Sequence, residues 1–349
     1  MTAAVTDLTD HQLEPLITRL GGKAFHARQL ARWVYARGAT SLDECTDLAK
    51  SLRTALREHV TLRGSTVAAT ERATDGTAKM LVRLADGETV ETVIIPDQDR
   101  VTLCVSTQVG CPVACVFCAS GLEGVRRNLT SGEITEQVLH ARDQLASRQL
   151  TNVVIMGMGE PMLNLPALVP ALERMRDPDG IGLGARRITV STSGYPDRMD
   201  RFAATPHQYQ LAVSLHAADD ELRRRLVPTA RAPVAAIVAA AARYGTSKNR
   251  EVTFEVVLLA GVNDRPKHAQ DLVERLRRVP CTVNLIPWNP VGQIRDLRAP
   301  ATAAVDAFAE QLRRGGLKTT VRRQRGADKS AACGQLRIRE LNSRRAGLA

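Results

Sequence analysis

The chain has no apolar run of about 18 residues, the length a membrane-spanning helix needs. Met1 to Asp10 lack the basic-then-apolar order of a secretory leader, so a cytoplasmic protein with no membrane association is expected. Internal repeats and low-complexity tracts are also missing. Cysteine is scarce and uneven in number: seven residues in a chain of 349 make a poor disulfide framework and fit a reducing compartment. Acidic residues are in deficit, with 48 Lys plus Arg against 37 Asp plus Glu and a formal charge of +11. That balance suits a polyanionic partner, most often nucleic acid, although an Arg-rich, Ala-rich chain can be basic without binding anything.

One further absence carries chemistry. Cys111, Cys115 and Cys118 form a C-x₃-C-x₂-C motif, and no histidine stands near it. Thiolates are soft ligands for iron–sulfur clusters and zinc. A structural zinc normally closes its site with a fourth ligand, and the nearest histidine, His140, falls too far on, within a predicted helix. Three thiolates with an open fourth position suit a reactive metal. The spacing resembles the signature of the radical S-adenosylmethionine superfamily, in which the open iron of a [4Fe–4S] cluster chelates the amino and carboxylate groups of S-adenosylmethionine. Structural zinc and cysteines that merely fill a core are the alternatives.

Along the chain, a helix is expected over 7–20 from the stripe Leu13, Leu16, Ile17 and Leu20, ended by Gly21-Gly22. A second carries Leu30, Trp33 and Val34 and stops at Gly38. A capping box from Ser41 to Glu44 opens a third, and Leu48, Leu52 and Leu56 stripe a fourth. These make an N-terminal helical accessory domain over 1–64. Over 65–99 the period changes to alternation, with turns at Asp75-Gly76 and Asp86-Gly87, and a small β-hairpin connecting segment is expected. Strands near 101–106, 152–157, 187–192, 210–215, 252–259 and 282–287 then alternate with helices, one opened by the capping box Thr130 to Glu133. Six βα units imply a parallel sheet, open or curled into a partial barrel, with its active site at the C-terminal strand ends. A final helix (301–314) and strand (317–323) complete a core over 100–325, and a loop and basic tail fill 326–349.

The cysteine loop directly follows the first strand of this series. The second strand ends in Gly157-Met158-Gly159-Glu160, where glycines allow close backbone approach and Glu160 adds a carboxylate. Thr189 and Ser191 on the third strand, and Ala212, Ser214 and His216 on the fourth, alternate with apolar residues and form one polar face. That face suits a nucleoside and amino acid ligand; a satisfied core histidine is the simpler reading of His216. Cys104 shares a face with Thr102 and Ser106, and Cys333 lies in a small-residue loop. Either thiol could be a small buried hydrophobe, as Cys45 and Cys281 are expected to be. The residues by themselves do not pair Cys104 with Cys333.

Seven strings, in order, resemble the RlmN/Cfr family of radical S-adenosylmethionine RNA methyltransferases. They are Val90–Val93, Cys104–Cys111, Gly157–Pro161, Ser191–Gly194, Ser214–His216, Asn284–Pro290 and Ala331–Leu336. Glu160-Pro161 and Pro287-Trp288-Asn289 favour the RlmN branch. The resemblance implies a partial (βα)6 radical-SAM barrel that methylates carbon 2 of an adenosine in the peptidyl-transferase region of 23S rRNA, with a tRNA anticodon loop as an optional second target. It implies that Cys111, Cys115 and Cys118 hold a [4Fe–4S] cluster, and that Gly159, Glu160, Ser191, Ser214, Leu215, His216 and Asn289 bind S-adenosylmethionine. It further implies that Cys333 carries a methyl group, that Glu91 removes the ring proton, and that Cys104 attacks the Cys333 sulfur through a transient disulfide. An external electron donor such as flavodoxin or ferredoxin and a monomeric enzyme are expected. Arg126-Arg127, Arg186-Arg187, Arg322-Arg323, Arg325 and Lys329 are candidates for phosphate contacts. The rival readings are a Cfr-like enzyme acting at carbon 8, a radical enzyme on a peptide or small molecule, and a non-enzymatic RNA-binding protein with structural zinc.

Overall fold

The computed structural model describes residues 2–145, 148–229, 231–290 and 294–322. Cys333 and the expected C-terminal loop and tail lie outside the described residues, as do Arg323, Arg325 and Lys329. Near the N-terminus, helices α1 (Asp10–Arg19), α2 (Phe25–Tyr35) and α3 (Lys50–Arg57) bury the predicted stripes around Leu13, Ile17, Leu30, Leu52 and Leu56. The capping box at Ser41 forms, with Glu44 Oε1 accepting the Ser41 N–H at 2.8 Å. It opens a three-residue 3₁₀ turn, Leu42–Glu44, rather than the expected helix. Cys45, Thr46 and Asp47 follow, all weak helix formers, and Cys45 leaves the helical region with ψ 63°.

A ten-stranded sheet forms the centre. Its strands are β1 (Thr66–Arg72), β2 (Ala78–Arg83), β3 (Thr89–Asp97), β4 (Arg100–Cys104), β5 (Asn152–Ile155), β6 (Ile188–Thr192), β7 (Gln210–Ser214), β8 (Val252–Leu258), β9 (Cys281–Pro287) and β10 (Lys318–Val321). They lie side by side in sequence order. From β4 to β10 neighbouring strands are parallel. Each parallel step is bridged by helix: α4 (Ser131–Gln144), α5 (Leu165–Arg176), α6 (Pro196–Ala203), α7 (Asp220–Leu226) with α8 (Val234–Lys248), α9 (Pro266–Leu276), and α10 (Thr302–Arg314). The α/β architecture of six βα units expected from the sequence is therefore present. The segment expected as a connecting hairpin does not stand apart from it. β3 pairs antiparallel with β4, setting Val93 opposite Cys104, so β1–β3 extend the barrel sheet and cover what would be an open edge at β4.

Alternation gives the sheet two unlike faces. The outer face, carrying Met80, Val90, Leu103, Val190, Val213 and Phe254, packs under the helices as one continuous core. The inner face carries the intervening residues, among them Lys79, Glu91, Cys104, Ser191, Ser214 and Glu255. The accessory domain docks on α4. Buried Glu136 accepts the Gly64 and Ser65 N–H groups, each at 2.7 Å, and the hydroxyls of Thr6 and Ser65. One turn on, His140 Nε2 meets the Ser65 hydroxyl at 2.9 Å. His140 is thus a junction residue, and burial pushes its pKa down to about 4.

Candidate active site

The cysteine loop leaves the end of β4 and is pinched at its base. Gln108–Gly110 pairs antiparallel with Val125–Asn128, a ladder that the local pattern did not announce. Gly110, at φ +83°, is required there, because a Cβ would lie 2.0 Å from the Gly124 carbonyl oxygen. Inside the loop Ala114 takes a left-handed conformation at φ 52°. Val113 and Phe117 pack with Val257 from the inner face and with Leu259 and Trp288 beyond the strand ends, so the loop is seated over that face. Trp288 Nε1 donates to the Phe117 carbonyl at 2.9 Å, Thr229 Oγ1 to the Val113 carbonyl at 2.6 Å, and the Val116 N–H to the Leu226 carbonyl at 3.1 Å.

Cys111, Cys115 and Cys118 are free thiols at this seat. Burial pushes Cys111 up to about 11 and Cys115 well above its ordinary value, and charge on the neighbouring thiols and Glu160 adds to both shifts. Buried Arg223 opposes the shift at Cys115. A coordinating metal deprotonates a thiol outright, which burial alone disfavours here. Among the described residues no three His, Cys, Asp or Glu side chains close around a single ion. The donor set of three soft thiols on one anchored loop fits the corners of an iron–sulfur cluster. Beside it, Gly159 (φ +108°) is packed so closely that a Cβ would lie 2.8 Å from both Gln108 Cβ and Thr107 Oγ1. That hydroxyl is buried without a hydrogen-bond partner. The unpartnered hydroxyl fits a polar ligand approaching this turn.

Glu160 is fully buried, and desolvation raises its pKa. Its carboxylate accepts the Ser193 N–H at 2.7 Å, the Ser193 hydroxyl at 2.8 Å and the Met162 N–H at 3.0 Å. Its own N–H donates to Gln108 Oε1 at 2.7 Å. Glu160 therefore shapes two strand-end turns at once. Ser191 and Ser214 are half-buried on the inner face, and Ser191 Oγ donates to the Ile155 carbonyl at 2.8 Å. Leu215 points into the outer core. His216 is buried in the left-handed region at φ 63°, strain that a non-glycine residue rarely carries. Its Nδ1 accepts the Val257 N–H at 3.2 Å, its ring meets Phe117 edge-on, and burial lowers its pKa to about 3. Asn289 is half-buried just past β9.

Glu91 and Cys104 lie on the inner face of neighbouring strands. Val93 pairs with Cys104, which makes Glu91 the diagonal neighbour of Cys104, about 7–8 Å away by ordinary sheet geometry. Glu91 is 4% exposed and makes an ion pair with Lys79, its Oε1 3.7 Å from Nζ. Ser106 ties this pair of strands to the glycine turn: its hydroxyl donates to the Glu91 carbonyl at 2.7 Å and accepts the Met158 N–H at 2.8 Å. Gln137 of α4 clasps Ser106 from behind, through both the Ser106 N–H and carbonyl.

Sequence reasoning passed over Lys79, Arg223 and Gln108. A lysine in the apolar run Ala78–Val82 was the available signal for the first. Arg223 looks like one of three arginines on a short helix and Gln108 like a loop amide, and neither offers a local clue. The candidate phosphate contacts are already engaged in part. Arg127 is held by Asp86 and Glu133, Arg126 by Glu88, and Arg186 by Gln208, while Arg187 and Arg322 are exposed.

Residues 105–273 match the family model of the radical SAM superfamily, and residues 4–62 match that of the ribosomal RNA large subunit methyltransferase N-terminal domain. A solved structure, a radical SAM methyltransferase from Sphaerobacter thermophilus, superposes with a TM-score of 0.91 at 44% identity, covering 95% of this chain and 98% of that one. The fold and site thus define a radical SAM methyltransferase, whose cofactors are a [4Fe–4S] cluster and S-adenosylmethionine. Among curated proteins, one of Rhodopirellula baltica carrying the RlmN name is 47% identical over 328 residues, 93% of this chain and 88% of its own. The dual-specificity RNA methyltransferase RlmN of Halorhodospira halophila is 45% identical, covering 96% of this chain and 93% of its own. The chain belongs to the RlmN family of radical SAM RNA methyltransferases. No helix among the described residues is long and apolar enough to cross a membrane.

Proposed function

We propose that this protein methylates carbon 2 of an adenosine in the peptidyl-transferase region of 23S rRNA, and an adenosine of a tRNA anticodon loop as a second substrate. Carbon 2 lies between two ring nitrogens and is electron-poor, so it does not attack a methyl sulfonium as a nucleophile. Held by Cys111, Cys115, Cys118 and by Gly159, Glu160, Ser191, Ser214, Leu215, His216 and Asn289, the cofactors supply a methyl group and one-electron hydrogen abstraction. The chain's own residues do the rest. Cys333 carries the methyl carbon and presents it to the adenine ring. Glu91 takes the ring proton, leaving the C–H electron pair with the base. The odd electron left on the ring after addition would return to the cluster when it is bound; Cys104 then attacks the Cys333 sulfur, and an S–S bond forms as the S–C bond breaks, its electron pair passing to the methyl carbon, which takes up a proton. An external reductant of the flavodoxin or ferredoxin kind supplies electrons, and a cytoplasmic monomer suits an enzyme that works on ribosomal RNA.

One observation carries this reading. Glu91 and Cys104 are diagonal neighbours on the inner face, the face over which the cysteine loop is seated. The test is anaerobic turnover on a 23S rRNA transcript and a tRNA by the wild type and Cys104→Ala. Chromatography and fragment-ion analysis against authentic 2-methyladenosine and 8-methyladenosine should find the former. Product at carbon 8 sinks the carbon assignment in favour of Cfr-like chemistry. Cys104→Ala should accumulate an RNA-linked protein band on a denaturing gel, and the band should vanish in Cys104→Ala/Cys333→Ala. Repeated turnover by folded Cys104→Ala without an adduct removes Cys104 from the mechanism.

A further inference from the structure

Lys79 sits in the middle of β2 with its side chain on the inner face, 1% exposed. In register it lies opposite Val93 of β3, and Val93 lies opposite Cys104 of β4, so Lys79, Val93 and Cys104 form one row across the sheet. Its Nζ approaches Glu91 Oε1 to 3.7 Å, with that carboxylate 4% exposed. On its other flank, half-buried Glu71 of β1 stands directly opposite in register. Exposed Arg83 of β2 shares the inner face two residues on from Lys79, opposite Thr89 and diagonal to Glu91.

Burying two charges is expensive, and an apolar pair of similar volume often serves a fold equally well or better. The outer face of the same two strands carries such residues, Met80 and Val90. Stability therefore does not call for an ion pair here. A buried carboxylate is held in place by its partners, and the Lys79 ammonium is one of those of Glu91. At 3.7 Å the contact is an ion pair rather than a short hydrogen bond. We propose that Lys79 is a positioning residue for Glu91, holding its carboxylate in one place on the inner face. This rests on the reading of Glu91 as the base that takes the ring proton. Proton removal comes after methyl transfer to Cys333 and after cofactor cleavage. Loss of Lys79 should therefore slow one late step and spare the early ones, a pattern that general damage to the barrel does not give.

The test is single-turnover kinetics of the reconstituted holoenzyme on a 23S rRNA transcript, with Lys79→Met, Lys79→Arg and Glu91→Gln run in parallel. Cofactor cleavage and Cys333 methylation, read by mass analysis of small molecules and intact protein, should stay near wild type in Lys79→Met. Release of methylated RNA should slow by about tenfold or more, with the RNA-linked protein band that Glu91→Gln also gives. Lys79→Arg keeps the charge and should restore release. Lys79→Met that resolves the adduct at the wild-type rate, or loses all three steps in parallel, overturns the proposal. Lys79→Arg as impaired in release as Glu91→Gln overturns it as well, and decides the matter if Lys79→Met does not fold. A stalled Glu91→Gln beside an unaffected Lys79→Met defeats the role of Lys79 alone; normal turnover by Glu91→Gln defeats the base assignment and the role of Lys79 with it.

Discussion

The two faces of one sheet divide the work of this molecule. Residues one position apart on the same strand face either the helices or the inner face: Met80 and Lys79, Val90 and Glu91, Leu103 and Cys104, Phe254 and Glu255. The outer face is largely apolar, broken by buried Thr92 and Thr192, and joins α4, α5, α6, α8, α9 and α10 into a single core. The inner face keeps a buried ion pair and a thiol at one end. At the other, buried Glu255 accepts from Asn284 at 2.8 Å, and Asn284 accepts from the Thr320 hydroxyl at 2.8 Å. Burial raises the pKa of Glu255. Charged and polar groups under cover cost stability, and they persist because the opposite face supplies the apolar burial that offsets them.

Substitutions on the two sides should accordingly fail in opposite ways. The largest effect is expected on the inner side. Anaerobically purified wild type should hold about four irons per chain, as a cubane does. Cys115→Ala should lose the iron and all cleavage of S-adenosylmethionine while its unfolding midpoint stays close to that of the apoprotein; a colourless, zinc-loaded and fully active wild type would overturn the cluster assignment. The reverse pattern belongs to Phe254→Ala, at a fully buried outer position. It should lower stability by about 3–5 kcal/mol in denaturant titration, while cleavage per folded molecule changes little. A large drop in cleavage at unchanged stability would show that the faces are not separable.

The smallest effect sharpens the comparison through pH. His140 at the accessory junction and His216 at the strand ends are both buried and neutral, with burial lowering them to about 4 and about 3. The unfolded chain takes up protons on both below about pH 6.5, where the folded chain does not. Their contribution is complete above pH 6.5 and is lost as the pH falls towards those folded values. His140→Gln should match the wild type in stability slope above pH 7. Between about pH 6.5 and pH 4 it should lose about 1 kcal/mol per pH unit less than the wild type does. Parallel curves across that range would mean that His140 is not excluded from protonation by the fold.

Much of this was legible beforehand because it is periodic or punctuated. The stripes of α1 to α3, the Thr130 capping box and the six alternating βα units follow from side-chain spacing, which is local. So does the inner polar face of β6 and β7. The union of β1–β3 with the barrel was not legible, since strand pairing between β3 and β4 depends on an unsatisfied edge that no local pattern records. For the same reason Glu91 read as a carboxylate on a separate segment rather than as a neighbour of Cys104. Lys79 stood out only as a lysine in an apolar strand, a signal that has no meaning until its partner Glu91 is known. The bond from Trp288 to Phe117 spans 171 positions and could be found only in three dimensions.

Helix α4 has a mechanical consequence. Glu136 grips the Gly64-Ser65 link to the accessory domain, and the next residue, Gln137, grips Ser106, whose hydroxyl touches both the Glu91 strand and the Met158 turn. Adjacent positions on one rigid rod therefore set the pose of the accessory domain and the spacing of the inner-face residues. The accessory domain is held like the fixed jaw of a caliper rather than a tethered hand, at one set distance from the inner-face residues.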